Sequence, residues 1–346
     1  MLSLLSLGVV LKWWGRWADP GTWDWALAVG AVLTFPAQLI YASSVMSEML
    51  LQTAVLGIAI SAFAFIHSCR LRYFAAGVAA VVAALLLKPV FYPLAFVVAV
   101  LAVGVGWRYR RLAVAAIGLV PVLVVGLYMQ WNQQRTGYFH FSSIAEINLL
   151  QYNAAGVVRQ IDGPEVEEKW VTQVIERANA APDFATRQHF IQAQAGAMLT
   201  AHLGLYARQH AQGMVALFLD PGRFDLSQLL GWPPPAGGGL LNQARQGRLW
   251  QAATSLPWGQ LALLGVILLA NVARLGFAVR GFYRLQHDSD AMRYGSWMAV
   301  GLLLYVAALT GPLGAARFLV PVWPLLLALA LVGLRGPQPV MQKQEG

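Results

Sequence analysis

The chain has 346 residues, of which 58% are hydrophobic and 11% are charged. Soluble domains carry about 25% charged residues, so the composition excludes a protein that exposes most of its surface to water and predicts a polytopic membrane protein. The single cysteine, Cys69, excludes an intramolecular disulfide and a paired-cysteine metal or redox site. The formal charge of +9 does not indicate nucleic-acid binding, because membrane proteins concentrate Lys and Arg in cytoplasmic loops.

Long segments without charged residues predict the membrane-spanning helices, since about 20 residues cross a hydrocarbon core of about 30 Å. An earlier apolar stretch, Leu2–Leu11, is too short to span and reads as part of a helix, so we expect an N-terminal portion to be missing. The predicted fold is an all-α polytopic membrane protein with about eight transmembrane helices plus a partial first one. The predicted spans are 25–47, 49–69, 73–87, 89–107, 112–134, 249–273, 294–316 and 318–334.

The distribution of basic residues predicts the orientation. When the spans are threaded alternately, short loops on one side hold just over half of all Lys and Arg, and the positive-inside rule places these loops in the cytoplasm. The large insert on the other side, 131–256, carries as many acidic as basic residues and can be translocated. The cytoplasmic set is Lys12, Arg16, Arg70, Arg72, Arg108, Arg110, Arg111, Arg274, Arg280, Arg284, Arg293, Arg335 and Lys343.

Three segments follow from this topology. Residues 1–130 form a transmembrane module, 131–256 an extracytoplasmic helical loop domain, and 257–346 the C-terminal spans with a short cytoplasmic tail. We expect the protein in a bacterial cytoplasmic membrane, with the insert in the periplasm.

The insert reads as mainly helical. Ser143 and Glu146 have the spacing of a capping box, which predicts a helix over 144–158. Proline in Gly163–Pro164 predicts a helix over 165–180, and Asp183 predicts the cap of a long helix over 184–219 that Asp220–Pro221–Gly222 ends. The glycine- and proline-rich segment 232–239 predicts a flexible loop.

Ionisable residues at membrane depth are costly and often mark functional sites, and three of them fall at predicted extracytoplasmic helix ends. Glu48 lies between two apolar runs, where a carboxylate could bind a metal or orient a hydroxyl. Lys88 precedes Pro89 in a broken apolar segment, and Arg317 opens the last span. Both cations suit a phosphate. Helix-end stabilisation, snorkelling and interfacial anchoring are the alternative explanations for these three residues.

Other polar residues give weaker signals. The histidines of the insert lack the HExxH spacing of a metal site, and His140, just outside the membrane, is the best candidate among them. No GxSxG, Walker A or GxGxxG motif occurs in the required context.

Three short motifs lie along the chain: Phe35-Pro-Ala-Gln-Leu-Ile-Tyr-Ala-Ser-Ser-Val-Met-Ser-Glu48, Lys88–Pro89 and Arg317-Phe-Leu-Val-Pro-Val-Trp-Pro324. In that order they resemble the "P…Y…sE" helix turn, the "KP" break and the last span of C-type glycosyltransferases. The segment from Phe141 to Gly156, which includes Tyr152, resembles bacterial members. The closest resemblance is to family-39-like enzymes, kin of protein mannosyltransferases and the lipid A aminoarabinose transferase.

The resemblance implies an inverting transferase that moves a sugar from a polyprenyl-phosphate lipid to an extracytoplasmic lipid, glycan or protein. It assigns Glu48 as an acidic helix-end residue acting on the acceptor or a divalent metal ion, Lys88 and Arg317 as ligands of the donor phosphate, and His140 and Tyr152 as further candidates. The family's main catalytic acid follows its first span and has no counterpart here, so we expect a partner protein or a missing segment to supply it.

Two other functions remain open. An O-antigen ligase or polymerase also has many spans and a large external loop, and would depend on Arg135 and His140 within that loop. A non-catalytic accessory membrane subunit would co-purify with a complete transferase and show no turnover of its own.

Overall fold

The computed structural model describes residues 2–15, 22–43, 46–232 and 256–335, and every regular element in these ranges is helical. Six segments are long and apolar enough to cross a membrane. The prediction of an all-helical, multi-pass membrane protein is therefore confirmed, without its count of about eight spans. The six segments are Ser47–Ser68, Pro89–Arg108, Leu112–Thr136, Trp258–Leu285, Asp290–Leu313 and Ala316–Leu334.

Two predicted spans have a different form. The run 25–47 contains two helices, Trp23–Leu33 and Pro36–Ser43, bent by 59°, which make a seventh span if the pair crosses as one. Proline lacks an N–H and disfavours helical geometry at the preceding residue, so Pro36 accounts for the break. The run 73–87 is the shorter apolar helix Leu71–Leu87, and the N-terminal stretch lies in the helix Leu2–Trp14.

By its internal contacts the chain divides into two compact units that differ from the three segments of the sequence-based prediction. The first unit comprises residues 1–59, 218–304 and 316–346, and the second comprises 60–217 and 305–315.

The centre of the first unit is a parallel pair of helices, Trp258–Leu285 and Trp323–Leu334. Arg284 Nη1 donates to the carbonyl oxygens of Val332 (3.1 Å) and Gly333 (3.4 Å), so the C-terminal ends of both helices lie together. Phe35 stacks on the fully buried Trp323 with ring centroids 4.0 Å apart, which fastens the bent helix pair to the last span.

The predicted position of Arg274 is wrong. The sequence placed it in a cytoplasmic loop after a span over 249–273, but the helix continues to Leu285 and Arg274 is only 4% exposed within it. Its guanidinium donates to Asn271 Oδ1 (2.5 Å), Thr34 Oγ1 (2.7 Å) and the Ala31 carbonyl (3.2 Å). At the bend the Phe35 N–H donates to Val32 instead of Ala31, and Arg274 takes up the acceptor that the break releases.

The second unit combines membrane helices with the helical part of the insert. Leu71–Leu87, Pro89–Arg108 and Leu112–Thr136 follow one another through short turns. The insert helices bury their own apolar core, formed by Leu150, Ala154, Val157, Val174, Ala178, Ile191, Ala195 and Leu199. In the described part of the insert, the helices after Leu112–Thr136 are Ala145–Asn148, Leu149–Ala154 (a π-helix), Ala155–Asp162, Pro164–Asn179, Phe184–Ala201, Leu203–Leu219 and, in the first unit, Arg223–Leu230.

Most helix boundaries of the insert match the sequence. Pro164 begins the second helix, and Asp183 caps the third by accepting from the Thr186 N–H at 2.7 Å. The long third helix is instead two helices, broken at His202, and the second of them ends at Leu219 as predicted. The predicted loop 232–239 lies, apart from Trp232, outside the described residues.

The predicted capping box is wrong. No side chain caps the helix that begins at Ala145, and Glu146 instead accepts a hydrogen bond from the Tyr138 hydroxyl at 2.8 Å. The helix also continues through a π-helical turn to Asp162, beyond the predicted end at 158.

Candidate functional site

Glu48 and Arg317, two of the three predicted site residues, form an ion pair. Arg317 Nε donates to Glu48 Oε1 at 2.7 Å across 269 positions of sequence. The Glu48 side chain has 0% exposed area, whereas the Arg317 side chain is 37% exposed. The cation is therefore the member of the pair that a ligand can reach, and the carboxylate holds it.

The position of each residue in its helix explains why the two meet. Glu48 lies in the first turn of Ser47–Ser68, and Arg317 lies in the first turn of Ala316–Leu334. Because both are N-terminal turns of candidate spans and are in contact, the two spans start at the same end of the first unit. A carboxylate in an N-terminal turn is also favoured by the helix dipole.

A second acidic residue, Asp225, joins the site through Tyr41. The Tyr41 hydroxyl donates to Asp225 Oδ1 at 2.6 Å, and the Arg317 guanidinium lies 5.6 Å from the centroid of the Tyr41 ring. Burial raises the pKa of the Asp225 carboxyl, while the Tyr41 hydrogen bond and the charge of Arg317 oppose that shift.

Asp220 fixes the backbone around this group. Its Oδ2 accepts from the Ala316 N–H (2.8 Å) and its Oδ1 from the Gly222 N–H (3.0 Å). The turn that ends Leu203–Leu219 is thereby tied to the start of the last span, one residue before Arg317. Burial raises the pKa of Asp220, and the hydrogen bonds from these two backbone N–H groups offset only part of that rise.

Two buried glutamines hold the helices that carry Tyr41 and Glu48. Gln52 Nε2 donates to Gln38 Oε1 (2.7 Å) and to the Val320 carbonyl (2.6 Å), and Gln38 Nε2 donates back to Gln52 Oε1 (3.2 Å). Both side chains are fully buried. Their amides connect three helical segments and fix the positions from which the site residues project.

Lys88, the third predicted residue, belongs to the second unit. It ends the helix Leu71–Leu87, where its N–H donates to the Ala84 carbonyl, and it precedes the 3₁₀ turn Pro89–Phe91. The predicted break at Pro89 is therefore present. The assignment of Lys88 to the donor phosphate stays a prediction.

The other two candidates also lie in the second unit. His140 is 7% exposed, its Nδ1 lies 2.8 Å from the Tyr138 carbonyl, and its ring stacks on Tyr138. Tyr152 is 43% exposed in the π-helical turn, and its carbonyl accepts from Gln209. The contacts of His140 favour a structural role in the insert, whereas Tyr152 is exposed enough for a ligand to reach the residue.

The divalent metal ion that the resemblance implies has no ligand set in the part of the chain that the structure describes. There, no three His, Cys, Asp or Glu side chains are grouped so that they could hold a metal ion. Glu48 is engaged by Arg317, and Asp220 by two backbone N–H groups. The described residues at this site therefore do not fit a divalent metal ion.

Sequence reasoning missed three residues of the site. Tyr41 lies in the motif that ends at Glu48, but no role was predicted for it. Asp220 was predicted only to end a helix, and Asp225 counted only toward the charge balance of the insert. Two acids five positions apart, after an apolar helix that ends in Asp-Pro-Gly, are the signal that could have drawn attention to 220–225.

Comparison with known proteins identifies no relative: no protein-family model, no curated protein and no solved structure matches this chain.

The raised pKa of Asp225 leads to a pH-dependent prediction. A carboxyl whose pKa is higher in the folded than in the unfolded state holds its proton longer when folded, so its contribution to stability falls as pH rises above about 4. Asp225→Asn keeps an oxygen that accepts from Tyr41 and removes the ionisation. We expect the variant to gain thermal stability relative to the wild type as pH increases from 4 to 7, measured in detergent. A constant difference across that range would contradict the burial of Asp225.

Proposed function

We propose that this chain is a C-type membrane glycosyltransferase that moves a sugar from a polyprenyl-phosphate donor to an extracytoplasmic acceptor. The observation that carries the proposal is the Glu48–Arg317 pair, because two residues that the motifs singled out separately are in contact at one end of two candidate spans. We also propose about eight spans, with the site and the insert on the periplasmic face of a bacterial cytoplasmic membrane.

In the proposed chemistry, Arg317 stabilises the leaving phosphate and the acidic residues have other roles. Departure of a lipid phosphate leaves negative charge, which a fixed guanidinium stabilises. Arg317 is half-exposed and supplies that group, and Glu48 holds it in place. The direct hydrogen bond from Arg317 to Glu48 Oε1 favours this positioning role over action of Glu48 on the acceptor or a metal ion.

Asp225 is the carboxylate that we propose for proton transfer. A general base works best when its pKa lies near the working pH, and burial moves the pKa of Asp225 upward in that direction. The Tyr41 hydroxyl orients its Oδ1. The main catalytic acid implied by the resemblance would act in addition, from a further segment or a partner protein.

A transfer assay tests the proposal and its two alternatives. Vesicles are prepared from bacterial membranes in which the chain is expressed, so that partner proteins and acceptors of the host are present. They are incubated with tritiated sugars linked to undecaprenyl phosphate, several sugars in turn, and transfer of label from the lipid donor is measured. We expect turnover of at least one donor, reduced by about 100-fold or more in Arg317→Gln, as for loss of one electrostatic stabiliser. The control Arg135→Gln, whose guanidinium stacks on Trp131, should retain wild-type rates.

The opposite pattern would favour the ligase. Loss of transfer in Arg135→Gln with normal rates in Arg317→Gln would overturn the site assignment. Absence of turnover by the wild type with every donor would overturn the enzymatic proposal and favour the accessory subunit.

A further inference from the structure

The turn between two membrane helices of the second unit places charged residues where glycine is usual. Two backbone hydrogen bonds close the C-terminal end of the helix Tyr92–Arg108. The Arg111 N–H donates to the Gly106 carbonyl (2.8 Å), and the Arg110 N–H donates to the Trp107 carbonyl (3.2 Å). This bonding pattern requires a left-handed residue, which is commonly glycine, but here Arg110 has φ +53°. The conformation costs a residue with a side chain about 1 kcal/mol or more.

A groove of about 810 Å³ lies at this turn. Its lining combines apolar residues from the ends of both helices with two arginines and a tryptophan. Trp107 is 83% exposed and Leu112 is 79% exposed. The groove is lined by Val103, Gly106, Trp107, Arg108, Arg110, Leu112 and Ala115.

The tight helix crossing forms the floor of the groove. A Cβ atom at Gly106 would lie 2.9 Å from Ala115 Cβ and 3.1 Å from Ala115 N, so the two helices touch there without intervening side chains. Arg111 Nη1 donates to the Cys69 carbonyl at 3.0 Å and binds this turn to the preceding one. Arg111 therefore has a backbone partner outside the groove, whereas Arg108, whose guanidinium carbon lies 5.7 Å from the centroid of the Tyr109 ring, and Arg110 line the groove.

The chemistry of the groove matches one class of ligand. Both flanking helices are candidate spans, so the groove opens where hydrocarbon meets water, and an exposed tryptophan suits that boundary. Guanidinium groups bind phosphate in paired hydrogen bonds. A small anion would need only the arginines, whereas a lipid also uses Val103 and Leu112.

We propose that this groove binds an acidic glycerophospholipid, with its phosphate between Arg108 and Arg110 and an acyl chain along Val103 and Leu112. The groove lies at the helix end that the charge distribution assigns to the cytoplasm, where basic pockets between membrane helices bind acidic headgroups. This site is separate from the Glu48–Arg317 pair and does not depend on the transferase proposal.

Fluorescence of Trp107 reports occupancy. The full chain is reconstituted in phosphatidylcholine vesicles that contain either brominated phosphatidylglycerol or brominated phosphatidylcholine, and the signal of Trp107→Phe is subtracted to isolate one indole. We expect phosphatidylglycerol to be preferred by about 25-fold, about five-fold for each arginine near the surface. Arg108→Gln/Arg110→Gln should abolish the preference and leave the free energy of unfolding unchanged, since glutamine meets the same backbone conformation at position 110.

The matched control removes two basic residues of the first unit, Arg280→Gln/Arg293→Gln, and should keep the preference. Equal quenching by the two lipids in the wild type would overturn the proposal, and so would an equal loss of preference in the control. Displacement by inorganic phosphate, beyond the effect of chloride at the same ionic strength, would indicate a small-anion site instead.

Discussion

Replacing Arg317 with methionine is expected to lower the free energy of unfolding by about 3 to 5 kcal/mol. Arg317 Nε contacts a carboxylate with 0% exposed area, so the variant removes the cation from beside a buried negative charge. Methionine keeps much of the length of the arginine stem, so the loss reports charge rather than volume. Unfolding in mixed micelles, followed by circular dichroism as the fraction of denaturing detergent rises, measures the difference.

The double variant Arg317→Met/Glu48→Met distinguishes the net contribution of the ion pair from the cost of leaving one charge without the other. Removing both members of a buried ion pair is often close to neutral, so we expect the double variant to recover most of the stability that the single variant loses. Arg135→Met is the control, since Arg135 stacks on the half-exposed ring of Trp131. Equal stability of Arg317→Met and the control would contradict the buried pair.

Stability and turnover together distinguish two roles of the pair. A double variant that folds normally and has no transferase activity would show that the pair acts on the reaction. A double variant with normal stability and normal activity would show that the reaction does not need the pair and would remove the basis for the transferase proposal.

Much of the helical architecture could be predicted from composition and charge. Membrane helices satisfy their backbone hydrogen bonds internally and face hydrocarbon, so each needs only a long run without charges, which is a local property of sequence. Six predicted runs correspond to candidate spans. The caps at Pro164 and Asp183 were predictable for the same reason, because a cap involves residues within one helical turn.

The errors arose where distant residues override local preference. Arg274 reads as the start of a loop until Thr34 and the Ala31 carbonyl, about 240 positions away, provide partners within a span. Glu146 has the spacing of a capping residue, but the Tyr138 hydroxyl binds its carboxylate. Local rules do not include these partners.

The candidate site shows the same division. Glu48 and Arg317 were predicted separately because a charge within apolar sequence is conspicuous, but their contact was not visible in the sequence. Tyr41 and Asp225 were missed because neither is unusual in its own segment, and they meet across 184 positions. The Gln38–Gln52 pair was missed as well, since buried amides are recognised only through their partners.

Replacing Gly281 with alanine is expected to lower the free energy of unfolding by about 3 kcal/mol or more, which is at or above the upper end of the range that overpacking of a core usually costs. A Cβ atom there would overlap the Leu329 carbonyl oxygen and lie 2.9 Å from the Gly333 nitrogen, and a Cβ at Gly333 would overlap the Phe277 carbonyl oxygen. These neighbours are backbone atoms, which no rotamer change can move, so the two helices would have to separate. Membrane helices associate mainly through such close packing at small residues.

Gly276 supplies the matched control on the same helix, because a Cβ atom there would have no atom within 4 Å apart from its chain neighbours and the nearby backbone of its own helix. Gly276→Ala should therefore leave stability unchanged or slightly raised, as expected from the helix propensity of alanine. The two variants differ only in position along one helix, so unfolding in mixed micelles and the yield of monodisperse protein compare crowding directly. If Gly281→Ala were as stable as Gly276→Ala, the close parallel packing of Trp258–Leu285 against Trp323–Leu334 would be contradicted.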